Sequence, residues 1–391
     1  MTGKKNTNNN RIYSGAITEF TRDEVVGHGG NGSVYNVNIT KGEVGSPVVA
    51  KFFDCKKNKI EKQKRYERFK KEVLEIKKWQ DEIPGIIHII DHNCPMSVSA
   101  NNEAWYLMPK ANEYRINSSK DILGKLTDMI ELAKTIEMLH ERKLAHRDIK
   151  PENILILGSK VILSDFGLVW TISEDRITDS GDRIGPYKIL PPELEDIILD
   201  KNIDYYPSDV YLLAKVIWMV VRENNAGFRG RYNRGDNQIY LDRKKYNVKT
   251  LEPLHCLLEG ATEDSMTNRV DIHKCIEYLN LQIDVFNGNI REDIEEMFYY
   301  DELSKEFINF EIPNEYVYTD RSIIYKYLES IVKYARVFVS SNMERKIEIS
   351  INSFNVIANA YATMYLFSPD GKIIKSTCLR QKNLFTKRMV S

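Results

Sequence analysis

The residues best suited to chemistry lie between His146 and Gly167. His146-Arg147-Asp148 is followed by Lys150 and Asn153, and further on by Asp165-Phe166-Gly167. Between them, the apolar runs Ile154 to Leu157 and Lys160 to Leu163 flank Gly158-Ser159, a pattern that predicts a tight hairpin. Folding that hairpin back sets Asn153 almost opposite Ser164 and Asp165, so an amide oxygen and a carboxylate converge at its open end. Such a pair suits Mg²⁺, a hard cation that prefers oxygen and completes its shell with phosphates and water. Asp148 lies on the incoming loop, where a carboxylate can accept a proton from an attacking hydroxyl.

A second constellation stands nearer the N-terminus. Gly27-His28-Gly29-Gly30-Asn31-Gly32-Ser33-Val34 fits a GxGxxGxV pattern, whose glycines let a backbone lie close over phosphates. A dinucleotide fingerprint would open a helix at the last glycine. Here Tyr35, Val37 and Ile39 alternate with Asn36 and Asn38, so the loop joins two strands, and a ligand-free glycine-rich hairpin is the plain alternative. Lys51 sits within the apolar strand Val48 to Phe53, an expensive place for an ammonium without an anion. In the helix predicted from about residue 60 to 80, Phe69, Val73 and Ile76 form the inward stripe. Glu72 lies on that stripe, while Lys70, Lys71, Lys77 and Lys78 lie off it. The expectation is a Lys51–Glu72 pair that holds the lysine ready for phosphates; a purely structural ion pair is the alternative. The Lys/Arg run from Lys56 to Lys78 has interleaved glutamates and outward spacing, which favour a solvated face over binding of RNA or an acidic partner.

These residues need a scaffold, and the pattern supplies a small sheet-rich part, with strands at 20–39, 48–53 and 105–108, before a mostly helical part to about residue 282. With 391 residues, the chain has room for two or three domains. Basic and acidic residues balance at 56 each, so net charge gives no reason to expect nucleic acid or a membrane as partner. Cys55, Cys94, Cys256, Cys275 and Cys378 are scattered and form no CxxC pair, which argues against a disulfide framework or zinc site. His92 and Cys94 have no second pair at finger spacing. MTGKKNTNNN has no apolar core and no apolar run of about 18 residues exists. A disordered tail over 1–15 and a cytoplasmic location are therefore expected.

Beyond residue 285 the pattern changes. Ile323, Tyr327, Leu328, Ile331 and Ala335 read as an amphipathic helix. Ile347, Ile349 and Ile351 alternate with polar residues, and Tyr361 to Ser368 meets Lys372 to Thr377 across Pro-Asp-Gly. A small α+β module with an antiparallel hairpin is expected over 286–391. Its role is open between partner binding, dimerisation, packing on the catalytic part and a structural appendage.

Over about residues 20 to 282 these motifs resemble the eukaryotic-type protein kinase superfamily, including its many prokaryotic members. Gly27 to Val34 resembles the phosphate loop, Lys51 and Glu72 the strand-to-helix ion pair, His146 to Asn153 the catalytic loop, and Asp165 to Gly167 the metal-binding segment. The resemblance implies an α+β bilobal fold: an antiparallel-sheet N-lobe with one key helix over about 16–111, and a mainly helical C-lobe over 112–285. It also implies ATP and Mg²⁺ as cofactors, with Gly27, Gly29, Gly32 and Lys51 on the phosphates. Asn153 and Asp165 would hold the metal. Met108 would lie behind the adenine, Lys110 and Ala111 in the hinge, and Val34, Ala50 and Leu155 around the base. Asp148 would position the acceptor hydroxyl and Lys150 would steady the phosphoryl group. Glu193, in Pro191-Pro192-Glu193, would pair with Arg269, and Asp209 would brace the catalytic loop.

The implied activity is transfer of the γ-phosphate of ATP to Ser/Thr hydroxyls of a protein substrate, with autophosphorylation. Arg147 resembles the arginine that binds a phosphorylated activation segment, where Thr171, Ser173, Thr178 and Ser180 are candidate sites. Pro186 stands where Ser/Thr kinases often have threonine, whereas Lys150-Pro151-Glu152-Asn153 resembles their catalytic loop. The rival readings are a pseudokinase or scaffold, which a Mg²⁺-dependent ATP turnover assay separates, and a small-molecule kinase of related fold, separated by acceptor choice.

Overall fold

The computed structural model describes residues 11–29, 32–45, 47–54, 59–99, 101–171, 188–195 and 204–289, and five strands between 315 and 381. The chain divides into two compact units, Met1–Tyr232 with Gly260–Ile276, and Asn233–Glu259 with Glu277–Ser391.

The first unit begins with β1 (Ile12–Ser14), β2 (Glu19–Gly29), β3 (Gly32–Lys41), β4 (Val48–Phe53), the helix α1 (Lys59–Trp79), β5 (Asp91–Asn93) and β6 (Trp105–Pro109). The strands form one antiparallel sheet in the order β1-β2-β3-β4-β6-β5. Aromatic residues dominate one face: Tyr13, Phe20, Phe52 and Trp105 are buried together with Val48, Ala50 and Leu107. Phe20 and Trp105 meet edge to face at 4.7 Å between centroids, and Tyr13 stacks on Phe20 at 5.5 Å. On α1, Phe69, Val73 and Ile76 are fully buried, which is the inward stripe expected from their spacing.

Part of the stretch 1–15, expected as a disordered tail, forms structure. Ile12–Ser14 pair with Glu19–Thr21, Tyr13 is buried, and the turn between them is clasped by Asp91. The Asp91 carboxylate accepts the amides of Ala16, Ile17 and Thr18 at 2.9–3.0 Å and the Thr18 hydroxyl at 2.8 Å. A Cβ on Gly15 would fall 2.2 Å from Asp91 Oδ2, so this residue must be glycine for the clasp to close.

The same unit continues through β7 (Asn112–Glu113), α2 (Ile122–Glu141), β8 (Leu144–Ala145), β9 (Ile154–Leu157), β10 (Lys160–Leu163), β11 (Trp170–Thr171), the short helix α3 (Pro192–Glu195) and α4 (Tyr206–Arg222). Asp121 caps α2 by accepting Gly124 N at 2.8 Å. Every residue of α4 from Ser208 to Val221 is buried, which marks it as a central helix enclosed on all sides. The β9–β10 hairpin turns at Gly158, whose φ of +65° suits glycine, and pairs Leu163 with Ile154. A sheet-rich part thus precedes a mainly helical part, the α+β architecture expected. The helices α5 (Glu252–Ala261) and α6 (Ile272–Phe286) complete the helical series.

In the second unit, Arg234 is buried between two carboxylates and makes paired bonds of 2.7–2.9 Å to Glu252 and Glu259. Five strands, β12 (Glu315–Tyr318), β13 (Val337–Ser341), β14 (Lys346–Ile349), β15 (Tyr361–Phe367) and β16 (Ile373–Gln381), form a sheet in the order β12-β16-β15-β13-β14. β15 and β16 are the expected antiparallel hairpin, whereas β12 runs parallel to β16. The helix expected around Ile323 to Ala335 and the Pro-Asp-Gly turn lie outside the described residues. Among the described residues, no helix is long and apolar enough to cross a membrane.

Candidate active site

Strand register decides what surrounds Lys51. Cross-strand partners share a face, and neighbours along a strand alternate. Val34 and Tyr106 are the register partners of Lys51, while Met108 is the partner of Val49. Val34, Val49, Lys51, Tyr106 and Met108 therefore share one face. Ala50, expected to lie against the base, lies on the other and is fully buried in the aromatic cluster. Val49 occupies the place that the sequence reading assigned to Ala50, as the period of two along β4 requires. Leu155 is half-buried on β9 beside Glu113 of β7. The exposed Lys110 donates its amide to Pro47 O at 2.7 Å and its ammonium to Asn36 Oδ1 at 3.0 Å, with half-buried Ala111 next in the chain.

Lys51 Nζ donates to both oxygens of Glu72 at 2.8 and 2.9 Å, and Tyr106 OH donates to Glu72 Oε1 at 2.8 Å. Burial works against the Lys51 ammonium, but Glu72, with Tyr106 and Asp165, overcomes it and holds the lysine well above its ordinary pKa. Burial also pushes Glu72 up, with Lys51 opposing. The two directions conflict over who keeps the proton. Three hydrogen bonds from two donor groups converge on one fully buried carboxyl group, which favours the charged pair.

The glycine segment joins β2 to β3 as a hairpin: Gly27 pairs with Val34, His28 with Ser33 and Gly29 with Gly32. A Cβ on Gly32 would lie 2.1 Å from Phe52 O, so the last glycine lets β3 approach β4, whereas one on Gly27 would meet nothing within 4 Å. Gly30 and Asn31 lie outside the described residues.

The segment after β8 is held from beneath by Asp209 at the start of α4. Its oxygens accept the amides of His146 and Arg147 at 2.7 Å each and approach His140 Nε2 at 3.1 Å. This grip fixes Arg147 in the left-handed region, at φ +64°. His146 Nε2 lies 3.1 Å from Ser164 O, and its Nδ1 accepts Asp148 N at 3.3 Å. Burial lowers the His146 pKa, in keeping with a neutral ring that donates from one nitrogen and accepts at the other. Lys150 Nζ reaches both Asp148 oxygens at 2.8 and 2.7 Å, and Asn153 Nδ2 donates to Asp148 O and Oδ2 at 2.8 Å. Burial raises the Asp148 pKa against the opposing pull of Lys150.

Ser164 donates to Asn153 O through its amide at 2.9 Å and its hydroxyl at 3.0 Å, which locks the hairpin's open end and puts Asn153 beside the residue preceding Asp165. Both described side-chain bonds of Asn153 start from Nδ2, so Oδ1 is the atom with acceptor capacity to offer. Asp165 adopts φ 64° and ψ 70°, an uncommon conformation for a non-glycine residue. Burial opposes its charge, yet Lys51, with Lys150, holds its carboxyl below the usual range. One carboxylate thus feels cations from both the sheet and the catalytic segment. α1 packs on the turn Phe166–Leu168 immediately after it. The amide oxygen and carboxylate form an all-oxygen donor set, which fits a hard divalent cation.

Below this cluster, Glu193 accepts both Nη atoms of Arg269 at 2.6 and 2.8 Å and the Ser208 hydroxyl at 2.6 Å, so the expected pair is present. Arg147 donates to Leu168 O at 2.8 Å and lies 5.0 Å from the Tyr205 ring centroid. Ser173, Thr178, Ser180 and Pro186, and the side chain of Thr171, lie outside the described residues. Sequence reasoning did not find Tyr106. The alternation that puts Tyr106 on the Lys51 face was present, but pairing β6 with β4 needed the fold.

Residues 20–278 match the family model "Protein kinase domain". A serine/threonine-protein kinase, PKH3, of Eremothecium gossypii is 31% identical over 26% of this chain and 14% of its own length. The putative serine/threonine-protein kinase R436 of Acanthamoeba polyphaga mimivirus is 26% identical over 39% of this chain and 54% of its own. The serine/threonine-protein kinase PknH of Mycobacterium tuberculosis is 25% identical over 49% of this chain and 30% of its own. The matched stretches thus span about half or less of these relatives.

Proposed function

We propose, on the premise that this chain belongs to the protein kinase domain family, that it transfers the γ-phosphoryl group of ATP to Ser or Thr hydroxyls of a protein. The observation that carries this reading is a pair of hydrogen-bonded clusters drawn from separate elements: Lys51 held by Glu72 at 2.8 Å, and Asp148 held by Lys150 and Asn153 at 2.7 and 2.8 Å beside the hairpin that leads to Asp165. Charges drawn from separate elements act at one point, where a triphosphate would bring more negative charge.

In this reading Val34 and Val49 cover the base, Leu155 lies on its other side and Met108 behind it, with the Lys110–Ala111 segment along its edge. The glycine hairpin lies over the phosphates, and Lys51, fixed by Glu72 and Tyr106, orients them. Asn153 and Asp165 would hold Mg²⁺, which would supply positive charge against the phosphates. Asp148 accepts the hydrogen bond of the acceptor hydroxyl, and burial makes it a stronger base than a free aspartate. Lys150, now on Asp148, turns to the transferred phosphoryl group as negative charge gathers there.

The Ser/Thr preference is supported by Lys150-Pro151-Glu152-Asn153 and by relatives that are named serine/threonine-protein kinases. Autophosphorylation at Thr171, Ser173, Thr178 or Ser180 belongs to the same reading, as does a reducing, cytoplasmic location. Free thiols at Cys94, Cys256 and Cys275 fit that location.

The test is transfer from γ-labelled ATP to mixed Ser, Thr and Tyr peptides, followed by phosphoamino-acid analysis. Wild-type protein is expected to label Ser or Thr, and Lys51→Met and Asp148→Asn to label nothing while remaining folded. Undiminished transfer by both variants ends the assignment, and labelling confined to Tyr ends the specificity.

A further inference from the structure

A closed circuit of contacts links the two segments that carry Asp148 and Asp165. Arg147, next to Asp148, donates from Nε to Leu168 O at 2.8 Å, and its guanidinium carbon lies 5.0 Å from the Tyr205 ring centroid. Tyr205 in turn meets Trp170 edge to face, at 5.5 Å between centroids and 68° between ring planes. Trp170 follows Leu168 closely in the chain, and Leu168 closely follows Asp165. The circuit therefore runs from Asp148 through Arg147, Tyr205 and Trp170 back to the segment of Asp165.

The same tryptophan is tied to the brace beneath. Its ring meets Tyr206, the first residue of α4, at 5.9 Å and 71°. The Tyr206 ring lies 4.9 Å from that of His140, whose Nε2 is 3.1 Å from Asp209. In the backbone, Trp170 pairs with Ala145 of β8, immediately before His146. One side chain and its backbone thus join the entry to the catalytic segment, the exit from the Asp165 turn and the start of α4.

These contacts fix a separation. The β9–β10 hairpin connects Asp148 to Asp165 on one side, and the circuit connects them on the other. Arg147 and Asp165 both stand at φ 64°, a conformation that persists in non-glycine residues where the surroundings over-determine it. The circuit supplies part of that constraint at both residues. Trp170 is also unlike the core tryptophans: Trp105 and Trp218 are 1% exposed, whereas Trp170 is half-buried, so its ring can be removed without opening the core.

We infer that Trp170 is a positioning residue for phosphoryl transfer, holding the segment of Asp148 at its working distance from that of Asp165 through Tyr205 and Arg147. Transfer between groups held by separate elements depends on such placement. The effect on rate rests on the transfer reading above; the coupling of the two segments does not, and it is measurable without turnover.

The experiment uses the full chain, with Trp170→Leu to keep an apolar side chain without a ring and Trp170→Phe as the conservative variant. Transfer from γ-labelled ATP to a Ser/Thr peptide is measured with kcat and the KM for ATP separated, and amide hydrogen exchange over residues 144–149 is followed by mass spectrometry. In Trp170→Leu, kcat should fall about tenfold, the loss of two ring contacts. The KM for ATP should not change, because Val34, Val49 and Lys51 are untouched. Exchange over 144–149 should quicken while exchange over β4 stays as in the wild type, and Trp170→Phe should recover both rate and exchange. Wild-type kcat in Trp170→Leu, a raised KM with kcat retained, or failure of Trp170→Phe to recover overturns the inference. A wild-type chain that transfers no phosphate ends the transfer reading instead, and exchange then decides: faster exchange over 144–149 in Trp170→Leu upholds the coupling. Unchanged exchange there overturns it in either case.

Discussion

Asp91 and Asp148 are both enclosed by the fold, at 4% and 6% exposure, and their surroundings push them in opposite directions. At the edge of the sheet, Asp91 is ringed by backbone amides and the Thr18 hydroxyl, all donors that favour the anion. Burial alone would raise its pKa, but these bonds outweigh burial and bring it below the ordinary value. In the catalytic segment, burial wins and the Asp148 pKa rises, although Lys150 and Asn153 lie on its oxygens. The clasp spends every lone pair on closing the chain upon itself. Asp148, proposed above as the catalytic carboxylate, is held by side chains instead, and the one that pairs with its charge, Lys150, is partly exposed to solvent. A buried acid satisfied by amides stabilises the fold, whereas one satisfied by a partly exposed lysine fits the role proposed for Asp148.

The largest effect that separates the two is on turnover. Asp148→Asn should lower the rate constant for phosphoryl transfer by about 10²- to 10⁴-fold, whereas Asp91→Asn should leave it near wild type. A large loss of turnover in Asp91→Asn, with its fold intact by circular dichroism, would break the contrast.

Asp209 tests the boundary between these roles. It is fully buried and accepts two amides and approaches an imidazole, like a clasp, yet the backbone it holds is that of His146 and Arg147. Asp209→Ala leaves those donors without their acceptor and should cost about 3–5 kcal/mol in denaturant unfolding. It should also reduce turnover, because Arg147 loses the support for its left-handed conformation. Stability lost with turnover retained would make Asp209 a clasp and nothing more.

Which parts of this were legible in the sequence depended on how far apart the partners lie. Asn153 and Asp165 are joined by one hairpin, so spacing alone brought them together, and the Glu72 stripe followed from helical period. Ala50 was misassigned although the signal was present: it adjoins Lys51 on a strand and so must face away from it. Asp91 was not legible as a clasp, because its partners Ala16 to Thr18 lie far off, directly after the stretch read as tail. Lys215 was likewise hidden. It lies in the apolar run of α4, fully buried, where it donates to the carbonyls of Phe228 and Gly230 with its Nζ 3.3 Å from the Phe228 ring centroid. No pattern announces acceptors that only a returning loop supplies.

A third prediction concerns stability. Asp91→Asn keeps an oxygen but turns an NH₂ group towards amides that also donate, leaving at least one buried donor unmatched. The expected loss is about 1–3 kcal/mol, read from urea unfolding at neutral pH. Asp148→Asn removes the cost of a buried charge while Lys150, which is partly exposed, can turn to solvent. Its stability at neutral pH should equal or slightly exceed wild type.

The smallest effect is the pH dependence of that difference, and its sign differs between the two carboxylates. Asp91 has a folded pKa below its unfolded value of about 3.8. Its contribution is therefore complete above the unfolded pKa and is lost as pH falls through the folded one. Asp148 has a folded pKa above the unfolded value, so the native state binds the proton more tightly and this residue's contribution diminishes as pH rises from the unfolded to the folded pKa. Urea midpoints measured from neutral pH down to about pH 3 should show the deficit of Asp91→Asn shrinking towards the acid end. Over the same range any advantage of Asp148→Asn should vanish, because wild-type Asp148 then carries a proton of its own. A deficit in Asp91→Asn that stays constant into acid would mean that the amides around Asp91 bind the neutral acid as well as the anion, and the distinction between the two carboxylates would fail.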